Sequence, residues 1–247
     1  MSELTWMPIL MYHRIVEQEP PVDPDRICTS VGRLADHLDL LAAHDFAAVP
    51  LELACRPPEH GEGRRFAITF DDGYEETLRL AQPVLEARSL PATVFVVSSM
   101  IGGNATWNDE PRPLLTRTQL LDLHASGMFI GSHGRNHRRL STLEPPAIQD
   151  EVQGSREELE QLLGVAVRFI AYPHHDLDAR VAAAAASAGY AGAAGGRAGR
   201  HERYNLHRID AGRMSTRELL LHASGLHRWA RRQPMARAVR RAAVRFF

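Results

Sequence analysis

Residues 65–97 read RFAITFDDGYEETLRLAQPVLEARSLPATVFVV. The apolar run RFAITF is followed by a helix-period segment, which Pro83 interrupts, and then by a second apolar run, PATVFVV. Apolar runs of this length predict buried strands, and the segment between them predicts a helix that is kinked or broken at the proline. A strand, a helix and a strand in this order predict one unit of a parallel sheet.

The same alternation continues along the chain in both directions. Helix-period segments separate most of the further predicted strands, which are MPILMYH (7–13), AAVPLEL (47–53), MFIGSH (128–133), VRFIAYP (167–173) and NLHRID (205–210). We therefore expect a single α/β domain, built as a parallel sheet or a (β/α) barrel. In such folds the residues that carry chemistry follow the carboxyl ends of the strands.

Composition limits the classes of function. The 247 residues are 44% hydrophobic and 24% charged, which is ordinary for a globular protein, and the net charge of −1 argues against general nucleic-acid binding. All 29 basic residues are arginine, and the two cysteines, Cys28 and Cys55, indicate neither a disulfide framework nor a cysteine zinc site. Neither a signal peptide nor an apolar run of about 18 residues is evident, so we expect a soluble cytoplasmic protein.

Polar residues follow four of the predicted strands. Two histidines four positions apart can face one point, and with one carboxylate they form a His2Asp set that leaves a position open for water, as catalytic zinc requires. A second, adjacent carboxylate could then take a proton from the metal-bound water. Each motif alone is weak, since HxxxH pairs and Asp-Asp-Gly turns are common. The residues concerned are His13, Asp71, Asp72, His133, His137, His174 and His175.

Three segments together resemble the motifs of a known family. TFDDGY (69–74), GSHGRNH (131–137) and FIAYPHHDLD (169–178) are similar to the first three motifs of the polysaccharide deacetylases, carbohydrate esterase family 4. The segments PILMYHRI (8–15) and LLTRTQLLDLHASGMFIGSH (114–133) fit the same family. The resemblance covers residues 7–213, and the combination of motifs is specific.

The resemblance implies a fold and an activity. The fold is a distorted (β/α)7 barrel, TIM-barrel-like and of a single domain, and the activity is metal-dependent removal of N- or O-acetyl groups from sugars. Carried over by residue, Asp71 is the base, and Asp72, His133 and His137 bind the metal. Zn²⁺ is the expected ion, with Co²⁺, Mn²⁺, Ni²⁺ or Fe²⁺ as alternatives.

The acid that protonates the leaving group has two candidates. One branch of the family takes its acid from a histidine at the end of the first strand, in a Tyr-His setting like that of His13, so His13 is our choice. The family's usual acid lies on a late strand, which makes His207 the competitor. A core histidine bonded to backbone is the plain alternative for His13.

The third motif departs from the family pattern. His174 and His175 stand where this branch has Tyr and Gly; the backbone N–H of His174 could still hold an oxyanion, whereas the His175 side chain should narrow the pocket or contact substrate. Ala171 stands where an arginine can orient the base, and Arg208 is a candidate substitute. Substrate contacts are also expected from Tyr74, Tyr172, Pro173, Trp107 and Asn108, although Trp107 could equally anchor its loop.

The C-terminal segment has its own character. From Leu219 to Phe247 there are seven arginines and no acidic residue. We expect a barrel over residues 1–225 and an arginine-rich amphipathic helix over residues 226–247. That helix could lie on an anionic membrane surface, or it could be a last barrel helix with a solvated arginine face.

Expected partners follow from this interpretation. They are an acetylated sugar, a glycan or a lipid-linked sugar, with no nucleic acid, and the oligomeric state stays open. Two rival functions remain. One is a deformylase or other amidohydrolase that acts on a small or lipid-linked sugar. The other is a non-catalytic, metal-retaining glycan-binding relative in which His174 and His175 obstruct the pocket.

Overall fold

The computed structural model describes residues 7–56, 63–108, 110–195 and 201–225. The strands of the described part are β1 (Ile9–Tyr12), β2 (Arg14–Val16), β3 (Cys28–Ser30), β4 (Phe46–Ala48), β5 (Arg64–Phe70), β6 (Thr93–Val96), β7 (Asn104–Ala105), β8 (Arg112–Pro113), β9 (Phe129–Ser132), β10 (Phe169–Ala171), β11 (Gly192–Ala194) and β12 (Ile209–Asp210). The helices are α1 (Val31–Ala43), α2 (Gln82–Glu86), α3 (Arg117–Ala125), α4 (Pro145–Gln149), α5 (Ser155–Leu163), α6 (Ala179–Ser187) and α7 (Thr216–Ala223).

Parallel strands form one curled sheet in the order β11-β10-β9-β6-β5-β1-β12, and β4 pairs with the start of β5. Its two ends meet, because Ala194 of β11 forms a parallel bridge with Leu206, just before β12. The Leu206 N–H donates to the Ala193 carbonyl at 2.8 Å. The ring has seven strands, so the expected distorted (β/α)7 barrel is confirmed.

Strand alternation divides the core into two parts. Along β1, Leu10 and Tyr12 face outward and join the cluster that contains Leu34 and Leu38 of α1. Ile9 faces inward and joins a smaller cluster inside the barrel. Along β5 the same alternation directs Ala67, Thr69 and then Asp71 inward, because successive side chains of a strand point to opposite faces. The aspartate pair therefore begins where the interior opens at the carboxyl ends of the strands.

Local details differ from the sequence predictions. The strand predicted over residues 47–53 is wrong in its second half, since Leu51–Cys55 is a 3₁₀ helix. Pro50 has no N–H for the ladder, and pairing with β5 ends at Val49, whose N–H donates to Phe66 O at 2.9 Å. Pro83 lies in the first turn of α2, where proline is tolerated, and a π-helical turn, Thr77–Ala81, precedes it. A second π turn, Asp150–Gly154, separates α4 from α5.

The C-terminal prediction lies outside the described residues. The arginine-rich helix expected over residues 226–247, and the membrane contact that depends on it, stay predictions. None of the described helices combines the length and the apolar character that crossing a bilayer requires.

Candidate active site

A cleft of about 270 Å³ opens at the carboxyl ends of the barrel strands, where parallel barrels place their chemistry. Most of the residues selected from the sequence line it: His13, Asp71, Asp72, Trp107, Asn108, His133, His137, Tyr172, His174 and His175.

Asp72, His133 and His137 converge on one point of this cleft. The Asp72 Oδ1 atom lies 3.3 Å from His133 Nε2 and 3.2 Å from His137 Nε2, and the three side chains are almost completely buried. They form a group in which every potential ligand atom is within 4.8 Å of the others. Two imidazole nitrogens and a carboxylate oxygen are donors that suit Zn²⁺ and other transition metals.

The hydrogen bonds of this group suit a bound cation. His133 Nδ1 lies 2.8 Å from the carbonyl oxygen of Ala171, which can only accept, so Nδ1 carries the proton. In the neutral ring, Nε2 then presents a lone pair toward Asp72 Oδ1, which is buried and has no hydrogen-bond partner among the described residues. Two acceptors facing each other are favourable when a cation lies between them. The residues therefore fit a divalent metal.

The backbone at this point is unusual. Asp72 and His137 have positive φ angles of 72° and 56°, a region that residues other than glycine rarely occupy. Gly73 follows with φ 78°, and a Cβ placed on it would lie 2.6 Å from Val96 Cγ1. Such strain concentrates at functional sites, where the surrounding structure enforces it. Here it turns the Asp72 side chain toward the two histidines.

A buried carboxylate fixes the loop between the two histidines. Glu151 is 1% exposed, and its Oε2 accepts the backbone N–H groups of Arg135 at 3.0 Å and Asn136 at 2.9 Å. Its Oε1 accepts the Asn136 side-chain amide at 2.8 Å. Glu151 thus fixes the backbone between His133 and His137 by hydrogen bonds to Arg135 and Asn136. Sequence reasoning missed this residue; an acidic residue interrupting the apolar face of a helix was the available signal.

Arg208 pairs with Asp71 inside the barrel. The guanidinium donates to Asp71 Oδ1 at 2.6 Å and to Oδ2 at 2.7 Å, and both side chains are 1% exposed. Burial alone raises the pKa of Asp71, but the charge of Arg208, the neighbouring His133 and the hydrogen bonds outweigh it and lower that pKa to about 2. Arg208 is thus placed where the sequence hypothesis put the residue that orients the base.

His13 lies next to Asp71. The Asp71 N–H donates to Tyr12 O at 2.9 Å, which joins the ends of β5 and β1. His13 Nε2 is 4.0 Å from Asp71 Oδ2, too far for a hydrogen bond, and the His13 side chain is 17% exposed. His207 does not line the cleft; its backbone N–H donates to His201 Nδ1 at 3.2 Å.

A loop after β6 forms one wall of the cleft. The Trp107 indole stacks on the His137 ring with centroids 3.9 Å apart. Tyr74 is fully buried, and its hydroxyl donates to Asn108 Oδ1 at 2.6 Å. Asn108 Nδ2 in turn donates to Asp25 Oδ2 at 2.9 Å. The loop therefore supports a metal-ligand candidate and also presents an aromatic surface.

The altered third motif forms a tight turn beside the metal-ligand group. His174 and His175 have positive φ angles of 57° and 55°, and the His174 ring meets His137 edge-on with centroids 4.6 Å apart. Burial, with His137 and Arg139 nearby, lowers the pKa of His174. The Tyr172 hydroxyl donates to the Tyr204 carbonyl at 3.1 Å, and Pro173 is buried behind Gly134.

The family assignment follows from comparison with known proteins. The family model described as polysaccharide deacetylase matches residues 59–193, which is more than half of the chain. The chain belongs to the polysaccharide deacetylase family. A member named as a polysaccharide deacetylase, YxkH of Bacillus subtilis (strain 168), is 31% identical over 106 residues. That match spans 43% of this chain and 35% of YxkH.

Solved structures share the fold of this family member. IcaB from Ammonifex degensii has a TM-score of 0.74 at 21% identity, with 90% of this chain and 98% of that chain covered. The Streptococcus pyogenes deacetylase PplD, solved in complex with acetate, has a TM-score of 0.67 at 22% identity, with 89% and 98% covered. At sequence identities this low, the structural similarity supports the assignment of the barrel fold.

Proposed function

We propose that this protein is a metal-dependent hydrolase that removes an N-acetyl, or O-acetyl, group from a carbohydrate. The observation that carries the proposal is the convergence of Asp72, His133 and His137 with Asp71 beside them in one cleft. Family membership favours a carbohydrate as the substrate. The three candidate ligands and the candidate base lie in one cleft, which supports the proposal.

The metal would be held by Asp72 Oδ1 and the Nε2 atoms of His133 and His137, and we expect Zn²⁺. When bound, it would polarise the acetyl carbonyl and make a water in the site more acidic. The hydrogen bond from His133 Nδ1 to Ala171 O fixes the ring and the tautomer that leaves Nε2 free to bind.

Asp71 takes the proton of the attacking water in this proposal. Each carboxylate oxygen has two lone pairs, and Arg208 uses one on each, so both oxygens can still accept. Arg208 keeps Asp71 ionised and fixes its plane. It also lowers the basicity of Asp71, so the acidity of the water matters as much as the strength of the base.

His13 donates a proton to the departing nitrogen or oxygen. Its Nε2 lies 4.0 Å from Asp71 Oδ2 in the same cleft, so one substrate can lie within reach of both groups. The backbone N–H of His174 is proposed as an oxyanion donor. Trp107 is proposed as the surface on which the sugar ring packs, because an indole face suits an apolar sugar face.

Acetate release from acetylated chito-oligosaccharides by the metal-loaded protein tests the proposal. We expect Asp71→Asn and His133→Ala to lose at least 100-fold in kcat, on the order of one general base or one metal ligand. Asp36→Asn, an exposed substitution on α1, is the control and should keep full activity. Equal release by all four proteins contradicts the assignment.

A non-catalytic glycan-binding role is the second candidate, because the His174 ring packs against His137 within the cleft. It requires stoichiometric metal and sugar binding with no acetate released from any sugar tested. Formate release in place of acetate release would instead favour the deformylase alternative on a small or lipid-linked sugar.

A further inference from the structure

We propose that the sugar substrate carries an oxyanion, either a carboxylate or a phosphate, and that Arg139 binds this group at the rim of the cleft beside His174 and His175. The inference rests on the proposed function, since it concerns the same cleft. It adds a substrate class, an anionic acetylated sugar, to the reaction.

Among the described residues, Arg139 is an unpaired cation on the wall of the cleft, whereas two other arginines near the cleft are paired. Arg208 is bound to Asp71, and Arg14, in the adjoining depression, donates to Glu76 at 2.7 Å. Arg139 is exposed and lines the cleft. Its guanidinium makes no hydrogen bond or ion pair within residues 7–56, 63–108, 110–195 and 201–225. Its charge is therefore available to a ligand.

The carboxylates of the cleft are committed elsewhere. Asp71 is held by Arg208, and Asp72 faces His133 and His137. Asp25, the remaining carboxylate among the described lining residues, accepts from the Asn108 amide at 2.9 Å. None of the three neutralises Arg139, so an anionic group on the substrate would be its partner.

The loop that carries Arg139 is fastened to the His174–His175 turn. The Asp176 carboxylate accepts the backbone N–H and the hydroxyl of Ser141, both at 2.8 Å. The Asp176 N–H donates to Pro173 O at 3.0 Å, which closes the turn on the other side. Arg180 adds a hydrogen bond to Ser141 O at 2.7 Å. The backbone beneath Arg139 is thus held beside the two imidazoles before any ligand arrives.

This arrangement suits an oxyanion better than a neutral hydroxyl. A guanidinium binds carboxylate or phosphate through two parallel hydrogen bonds, which a sugar hydroxyl cannot reproduce. Imidazoles contribute N–H donors without the strong hydration of an ammonium group. With a neutral sugar bound, the Arg139 guanidinium would stay hydrated, whereas an anionic sugar would form an ion pair with it.

Three acetylated sugars test the proposal with metal-loaded protein. They are neutral N-acetylglucosamine, N-acetylglucosamine 6-phosphate and the carboxylate-bearing N-acetylmuramic acid. We expect at least one anionic sugar to have a KM about tenfold lower than that of the neutral sugar, which corresponds to a single charge-assisted contact. The anionic sugar whose KM falls further shows whether the site prefers a phosphate or a carboxylate. The gain should shrink at 0.5 M NaCl, because the contact is exposed.

Arg139→Gln should abolish this preference and leave the KM of the neutral sugar unchanged. Arg138→Gln is the matched control, since Arg138 is the exposed neighbour that does not line the cleft, and it should keep the preference. Equal KM values for all three sugars overturn the proposal. A preference that survives Arg139→Gln also overturns it, because the anion would then be bound elsewhere, for example at the metal.

Calorimetric binding separates this inference from the proposed reaction. Tighter binding of an anionic sugar that depends on Arg139, with no acetate released from any sugar, would contradict the deacetylase and support the anion site. Acetate release without any charge preference would support the deacetylase and contradict the anion site.

Discussion

The Arg208 guanidinium donates hydrogen bonds to both carboxylate oxygens of Asp71 inside the barrel, and neither side chain is more than 1% exposed. Such a pair is costly to break, because removal of one partner leaves an unpaired buried charge. The structure offers a second bidentate pair for comparison, since Arg88 binds Asp39 at 2.7 and 2.8 Å on the surface. The same geometry is therefore found both in the interior and on the surface.

Arg208→Met should lower the free energy of unfolding by about 3–5 kcal/mol, because Asp71 loses its counterion in a buried site. Arg88→Met should cost at most about 1 kcal/mol, because an exposed pair is screened by water. Urea denaturation near pH 7 measures both. Similar losses in the two variants would mean that the buried pair contributes no more than a surface pair.

Glu151→Ala should weaken metal binding about tenfold or more, because the loop between His133 and His137 loses its three hydrogen bonds to the carboxylate. Glu151→Gln should lose less, since its carbonyl oxygen can still accept both backbone N–H groups. Co²⁺ titration followed by visible absorption measures affinity independently of activity.

Glu157→Ala, exposed on α5 just after the π turn that contains Glu151, is the control for that experiment and should bind Co²⁺ like the unmodified chain. Thermal denaturation of the metal-free proteins shows whether a change in affinity merely follows global destabilisation. An unchanged Co²⁺ affinity in a folded Glu151→Ala variant would remove Glu151 from the metal site.

Gly73→Ala should destabilise the protein by more than about 2 kcal/mol. The new methyl would lie 2.6 Å from Val96 Cγ1, and φ is +78°, a conformation that costs an L residue a further about 1 kcal/mol. Gly32→Ala is the opposite case. It lies in α1 with no atom within 4 Å of the added Cβ, so it should stabilise by about 0.5–1 kcal/mol. Equal effects in urea denaturation would contradict both arguments.

Because His37 is buried, we expect the free energy of unfolding to fall in mild acid. The Met214 carbonyl lies 3.2 Å from Nε2 and can only accept, so Nε2 carries the proton and Nδ1 accepts from the Tyr12 hydroxyl at 3.0 Å. Burial lowers the pKa of His37 below its usual 6.5, against the opposing Met214 hydrogen bond. As the pH falls, the unfolded chain therefore binds a proton at His37 before the folded chain does. The stabilisation from neutral His37 is present above pH 6.5 and falls as the pH drops below that value.

The unfolding free energy of the unmodified chain should thus fall by up to about 1.4 kcal/mol per pH unit more steeply than that of His37→Gln between pH 6.5 and 5. Parallel curves for the unmodified chain and His37→Gln would show that His37 titrates alike in the folded and unfolded states.

The barrel and the convergence of Asp72, His133 and His137 were predictable, because parallel strands bring their carboxyl ends together and each motif follows a strand. Arg208 was a candidate because Ala171 stands where the family can have an arginine that orients the base. The stacking of Trp107 on His137 and the bonds from Glu151 to the His133–His137 loop were not predictable. They depend on how a loop and a π turn fold back over the site, which periodicity does not encode. Residues 51–53 were mispredicted as strand because their apolar pattern suits a strand as well as a buried 3₁₀ turn.

The barrel closes through the Ala194–Leu206 bridge, two positions before Arg208. Strand β12 is two residues long, so the segment that carries Arg208 is among the more weakly paired parts of the ring. If the pairing between β11 and the segment around Leu206 opened, the Arg208 guanidinium would move away from Asp71 without unfolding of the rest of the domain. Hydrogen exchange at the Leu206 amide would therefore report how often the proposed base loses its counterion.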